Sequence, residues 1–203
     1  MNEKGFTLIE LMITVVIAAI LLTVGIPSFR EAIRNNRLTA HTNELVASLN
    51  LARSEAVKRN ATVSVCKSKN GTQCNNCAGG AGGDNGWKEG WIVFANNKPG
   101  GNTGCVDSPE EEVIRIHGTL PGSIVLNPAS NFANYISYLA SGKSNTIGSF
   151  TLCDDSETSE SKKLKSAKII IIDQTGRIRT GIDSNNNGIP EKDIGVDITS
   201  CSN

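Results

Sequence analysis

Residues 6–26 form an apolar run, relieved only by threonines, whose single charge is Glu10. A run of that length is about enough to span a bilayer as a helix, which takes ~20 residues. A short leader with one lysine, Lys4, ends in Gly5 just ahead of it. In an ordinary secretory signal the apolar stretch precedes a small-residue cleavage site and is discarded. Here the candidate cut, between Gly5 and Phe6, precedes the apolar stretch, so the membrane segment stays on the mature protein. Gly25 and Pro27 lie at the far end of the run, where proline kinks or loosens a helix. Glu10 is the anomaly, because a carboxylate in lipid is costly and calls for a partner or for the headgroup region.

Lys4-Gly5-Phe6-Thr7-Leu8-Ile9-Glu10, followed by Leu11-Met12 and a Val/Ile/Ala/Leu run to Pro27, resembles the leader of type IV pilins and type II secretion pseudopilins. The resemblance implies cleavage after Gly5 and N-methylation of Phe6 by a prepilin peptidase. It also implies a single-pass inner-membrane subunit that is extracted into a helical filament of other pilins or pseudopilins. Glu10 would there meet the N-terminal amine of a neighbouring subunit.

Beyond Pro27 the helix is expected to continue. Leu38, Leu45, Leu49, Ala52 and Ala56 recur mostly at three- and four-residue steps, one face of an amphipathic helix. Arg30, Arg34, Arg37, Glu44, Arg53 and Lys58 point in other directions and read as a solvated face rather than a nucleic-acid stripe. A helix over 6–59 would be roughly 80 Å long at ~1.5 Å per residue. Asn60 ends the periodic pattern.

The formal net charge is zero, so no global field selects a nucleic-acid or acidic partner. Abundant glycine and few aromatics suit a loop-rich β domain. His41 and His117 are the only histidines and are far apart, with no ligand or triad spacing. His41 is read as facing solvent, and His117 as following a strand. The six cysteines, Cys66, Cys74, Cys77, Cys105, Cys153 and Cys201, all follow the membrane segment. An even set in an exported domain points to disulfides. We expect Cys153–Cys201 to tie the C-terminal tail to a strand, the other four stapling the glycine-rich loop. A zinc site from Cys66, Cys74, Cys77 and Cys105 is the alternative, because Cys74 and Cys77 have ligand spacing, but no second such pair follows.

Strands are expected at 61–66, 87–94, 112–117, 123–127, 149–153, 168–173 and 177–182, short segments with turn-rich gaps that suit an antiparallel head. The run 78–83 is a flexible loop and no phosphate cradle, since no Gly-Lys-Ser/Thr follows. The acidic run 110–112 and the stretch 154–165 read as solvated loops. The stalk segment 45–60, Val63-Ser64-Val65-Cys66 and Gly86-Trp87-Lys88-Glu89-Gly90-Trp91-Ile92-Val93-Phe94 narrow the resemblance to GspH/FimT-type minor pilins and pseudopilins. Such proteins are low-abundance subunits near the filament tip that prime or cap assembly. The C-terminal quarter is similar chiefly through Gly176-Arg177-Ile178-Arg179.

On a strand, Arg177 and Arg179 project to one side and Ile178 to the other. The resemblance to some FimT-type members implies capture of double-stranded DNA there during natural transformation. Paired guanidiniums suit sequence-independent phosphate contacts, although Asp173 and Asp183 lie close by in sequence. Asp183, Asn185 and Asn187, with Gly188, partly match a calcium loop. Ile194 occupies the place of its terminal glutamate, so a plain Asn/Gly turn is the competing reading.

The expected fold is α+β: a long N-terminal transmembrane-plus-stalk helix packed on an antiparallel β-sheet head, pilin-like. Its parts are a leader (1–5), a filament-core helix (6–29), a stalk helix (30–60) and a disulfide-stapled head (61–203). The head is expected in the periplasm, and outside the cell once in a pilus. No enzymatic constellation is evident, and no cofactor is expected apart from possible calcium. A type II secretion pseudopilin that binds no DNA shares the same leader and stalk.

Overall fold

In the computed structural model the described residues are 5–74, 86–96, 111–129, 132, 134–193 and 196–201. Lys4, Cys77, Cys105, Glu110, Ile194 and the run 78–83 lie outside them. Contacts divide the chain into two compact units, Met1–Arg37 and Leu38–Asn203. Helix α1 (Leu8–Arg59) contributes to both.

In the first unit α1 begins two residues after Phe6 and is unbroken at Pro27. Leu8, Ile9, Leu11, Met12, Ile13, Val15, Val16 and Ile17 are all exposed. A helix apolar on every side is stable only where something other than water surrounds it. The segment is long and apolar enough to cross a membrane.

In the second unit the helical stripe named above is the buried one. Leu38, Leu45, Leu49, Ala52 and Ala56 are each at most 1% exposed. The helix stops at Asn60, whose φ of 50° places it in the left-handed region that asparagine tolerates. Asn60 N donates to Val57 O at 3.4 Å and Ala61 N to Ala56 O at 3.2 Å, the Schellman pattern that satisfies the last carbonyls.

Among its described residues this unit also holds two four-stranded antiparallel sheets. The first orders β3 (Glu112–His117), β2 (Trp91–Asn96), β1 (Thr62–Lys67) and β5 (Tyr135–Tyr138). The second orders β4 (Ile124–Pro128), β6 (Gly148–Asp154), β7 (Lys168–Ile172) and β8 (Ile178–Thr180). A short α2 (Glu160–Ser166) separates β6 from β7. A small hairpin, β9 (Glu191–Asp193) and β10 (Val196–Asp197), lies near the C-terminus.

Alternation along the strands builds more than one core. Val63, Val65, Trp91, Val93, Ile136, Phe150, Leu152, Ile170 and Ile172 join the helix stripe in the main cluster. The other face of the first sheet buries Cys66, Ile92 and Phe94. The other face of the second buries Ile169 and Ile171 with Cys153, Ala167, Ile198 and Cys201. Both faces of β2 and β7 are therefore covered, which explains their unbroken apolar runs. Burying each isoleucine of β7 contributes about 1.5–3 kcal/mol relative to an exposed one.

Several expectations are corrected. The strand expected from Trp87 begins at Trp91, because 86–89 form a turn that ends in Gly90 at φ +126°. The stretch 154–165 is not all loop: Asp154 closes β6 and α2 begins at Glu160. In the acidic run, Glu111 is buried and Glu112 opens β3. Arg53 and Glu44 are not simply solvated, since both are half-buried and bonded to the head. His117 ends β3 instead of following it, and it meets His41 across Glu44. The strand expected over 177–182 is confined to Ile178–Thr180.

Candidate functional site

At the helix start Thr7 and Glu10 cap one another. Thr7 N and Thr7 Oγ1 donate to Glu10 Oε2 at 3.0 and 2.9 Å. Glu10 N donates in return to Thr7 Oγ1 at 3.3 Å. This reciprocal arrangement is a capping box, which satisfies amides that a helix leaves unpaired at its N-terminus. The Thr-x-x-Glu spacing announces it in the sequence, a signal that the cost of a charge in lipid overshadows. Phe6, beside Gly5 and ahead of the cap, is 84% exposed.

The Gly176-Arg177-Ile178-Arg179 hairpin is fixed from within the head. Gly176 has φ +75°, and a Cβ there would lie 2.1 Å from the Gly142 carbonyl oxygen. Arg53 of α1 grips the two loops that meet there: its Nε donates to Gly142 O at 3.0 Å and its Nη2 to Thr175 O at 3.2 Å. Asp173 closes the turn, accepting from Thr175 Oγ1 and from Arg177 N at 3.1 Å. The Thr175 hydroxyl above all, against slight desolvation and helped by the Arg177 amide, holds the Asp173 carboxyl below the usual carboxylate range.

Ile178 pairs with Ile172 and packs on the main cluster. Arg179, opposite Ile171, stands on the other face of the sheet edge. Arg177 and Arg179 are exposed, and neither forms a salt bridge among the described residues. Two guanidiniums on a rigid edge can make phosphate contacts, which require no particular base sequence.

The Asp183–Asn187 loop turns its oxygens onto its own backbone. Asp183 Oδ1 and Oδ2 accept from Asn187 N and Gly188 N at 3.1 and 2.7 Å. Asn185 Oδ1 accepts from Asn187 N at 3.0 Å, and Asn187 Oδ1 from Ile189 N at 2.8 Å. Glu191, 2% exposed, accepts from the Ser184 hydroxyl at 2.7 Å.

Cys153 is bonded to Cys201 and Cys66 to Cys74. The second bond removes two thiolates from the four-cysteine zinc set considered above. The tail is also held by Asn127 Nδ2, which donates to Cys201 O, and by Cys201 N, which donates to Glu160 Oε1 at 3.0 Å.

Comparison with known proteins places these features. The family model described as Type II transport protein GspH matches residues 41–176, and the prokaryotic N-terminal methylation motif matches 1–26. Arg177 and Arg179 fall just beyond the first match. No curated protein matches the chain. The crystal structure of the Pseudomonas aeruginosa type IV minor pilin FimU in space group P21 has a TM-score of 0.52 and 21% identity, covering 72% of this chain and 89% of that one. A second crystal form, P65, gives 0.49 at 21% identity, covering 71% of this chain and 93% of that one. The first likeness shows a shared fold. With about two thirds of its length matched by the family model, and with the methylation motif ahead of it, the chain belongs to the GspH family, of minor pilins and pseudopilins.

Proposed function

We propose that this protein is a minor type IV pilus subunit of the FimT-like kind, which primes or caps pilus assembly and binds double-stranded DNA through Arg177 and Arg179. Family membership implies processing by a prepilin peptidase and assembly with other pilins, and the apolar helix fits an inner-membrane anchor. The head would face the periplasm, and the outside once in a pilus. One observation supports the DNA reading above others. Gly176, Arg53 and Asp173 fix the turn, leaving both neighbouring arginines exposed and, among the described residues, free of salt bridges. The adjacent Asp173 directs its hydrogen bonds to the turn's own donors, Thr175 Oγ1 and Arg177 N.

The test is DNA binding by the oxidised full chain in neutral detergent across a salt series. The Arg177→Ala/Arg179→Ala double variant should bind at least about ten-fold more weakly, with a salt slope smaller by about 2. Binding unchanged in the variant, at an unchanged thermal midpoint, would discard the arginine pair.

The second reading is a type II secretion pseudopilin that binds no DNA, favoured by the transport function in the name of the matching family model. Deleting the gene would then abolish enzyme secretion and leave piliation and transformation intact.

A further inference from the structure

His41 and Glu44 lie one turn apart on α1, and His117 closes β3. All three belong to the second unit. His41 Nδ1 is 2.8 Å from Glu44 Oε2, and His117 Nε2 is 2.9 Å from the same oxygen. The three ligand-capable atoms lie within 4.8 Å of one another.

His117 has little freedom. Its ring stacks on Trp91 at a centroid distance of 3.7 Å and an interplanar angle of 3°. Trp91 is its register partner and donates from Nε1 to Ser48 Oγ at 3.0 Å. Gly90 lets the β3 end come close, since a Cβ there would lie 2.3 Å from the His117 carbonyl oxygen. His117 Nδ1 lies 2.7 Å from the Gly118 carbonyl oxygen.

That last contact decides the chemistry. A carbonyl oxygen only accepts, so Nδ1 must carry hydrogen. A neutral imidazole has one N–H, which leaves the Nε2 lone pair aimed at a carboxylate oxygen 2.9 Å away. Two lone pairs at that distance repel unless a cation lies between them. The occupant is therefore a proton or a metal ion.

We propose that His41, Glu44 and His117 bind a Zn²⁺ ion that clips the end of β3 to helix α1. Two imidazoles and one carboxylate suit zinc, whereas calcium and magnesium prefer oxygen ligands throughout. A ring nitrogen that donates to a backbone carbonyl, as His117 Nδ1 does, is the usual orienting partner of a metal-binding imidazole. At bond lengths of ~2.0–2.1 Å, tetrahedral ligands stand about 3.3 Å apart, so the two nitrogen–oxygen edges, now 2.8 and 2.9 Å, open by about half an ångström to admit the ion, while the two nitrogens already lie within 4.8 Å of one another. The Glu44 side chain is 43% exposed, and the fourth position takes water from that side. Binding displaces whatever proton bridges the cluster into solvent. Burial raises the Glu44 carboxyl, but the hydrogen bonds from His117 and His41 outweigh it and hold the group below its ordinary range.

The experiment uses the full chain without a polyhistidine tag, in neutral detergent, oxidised and stripped of metal. Calorimetric titration with Zn²⁺ should give one saturable site per chain. Co²⁺ should give the intense visible bands of a low-coordinate nitrogen–oxygen site. Zinc at about a hundred times its Kd should raise the thermal midpoint by about 5–10 °C. His41→Ala and Glu44→Gln should each weaken zinc binding at least about ten-fold and abolish the shift, with metal-free midpoints near wild type. Absence of a saturable site in the wild type, or equal affinity in either variant, overturns the proposal and leaves a proton as the occupant.

Discussion

Gly176 and Gly142 approach so closely that a Cβ on the first would stand 2.1 Å from the carbonyl oxygen of the second. Both residues have φ +75°. Gly176→Ala adds left-handed strain, about 1–3 kcal/mol, to a backbone clash. The thermal midpoint of the full chain should fall by several degrees, whereas Arg177→Ala and Arg179→Ala should leave it close to wild type. A Gly176→Ala chain as stable as wild type would mean that the glycine serves the turn in no structural way.

The two disulfides among the described residues should contribute unequally. Cys153–Cys201 spans a sequence separation of 48 and Cys66–Cys74 one of 8. Loop-closure entropy gives about 4 kcal/mol for the longer and about 2.5 for the shorter. Thermal melts of Cys153→Ser/Cys201→Ser against Cys66→Ser/Cys74→Ser should show the larger loss in the first pair. The reverse order would place the greater constraint on the loop after β1.

Arg59 joins the helix end to the first sheet. Its Nη1 and Nη2 reach the two oxygens of Glu112 at 2.5 and 3.3 Å, and its Nε reaches Glu55 at 2.6 Å. The Arg59 hydrogen bond is the main cause that holds Glu112 below its ordinary value of 4.5, and likewise Glu55. A depressed folded value means stabilisation that is complete above about pH 4.5 and lost as pH falls through the folded values. The thermal midpoint should therefore drop on acidification below that point, and Arg59→Gln should flatten this part of the curve. An equally steep acid limb in Arg59→Gln would assign the loss to other carboxylates.

Tyr138 is fully buried, and its hydroxyl has no hydrogen-bond partner among the described residues. Desolvation holds its phenol proton well above the usual range. Tyr138→Phe removes a polar atom that gains nothing there, so stability should stay level or rise by up to ~1 kcal/mol. A fall of that size would reveal a partner for the hydroxyl.

Where local pattern decides structure, the sequence was readable. The stripe Leu38, Leu45, Leu49, Ala52 and Ala56 carries helical spacing, and Asn60 marks its end. Most strands announced themselves through β-branched runs such as Ile169 to Ile172. Helix α2 did not, because its only apolar residue is Leu164 and none of its side chains is buried. Nor did β5, whose Tyr-Ile-Ser-Tyr is too short to stand out and whose place depends on pairing with β1. The meeting of Glu44 and His117 was invisible for a different reason. The two are 73 residues apart in sequence, and the register of β2 with β3 places His117 beside Trp91. Arg53 is a parallel case: a basic residue on a polar helix face reads as solvated until two distant loops present carbonyls to it.

The box between Thr7 and Glu10 would change what joining a filament entails, were Glu10 to meet the amine of a neighbouring subunit as the resemblance implies. A carboxylate already holding a hydroxyl and an amide is a latched group, and an arriving ammonium would have to unlatch it before taking its place. The hydrogen bonds exchanged would then nearly cancel, and the net gain would come from the positive charge that the threonine lacks. A subunit built this way would be quiet when alone and discriminating when met, since a neighbour without a free cationic terminus would have nothing better to offer than the residue already there.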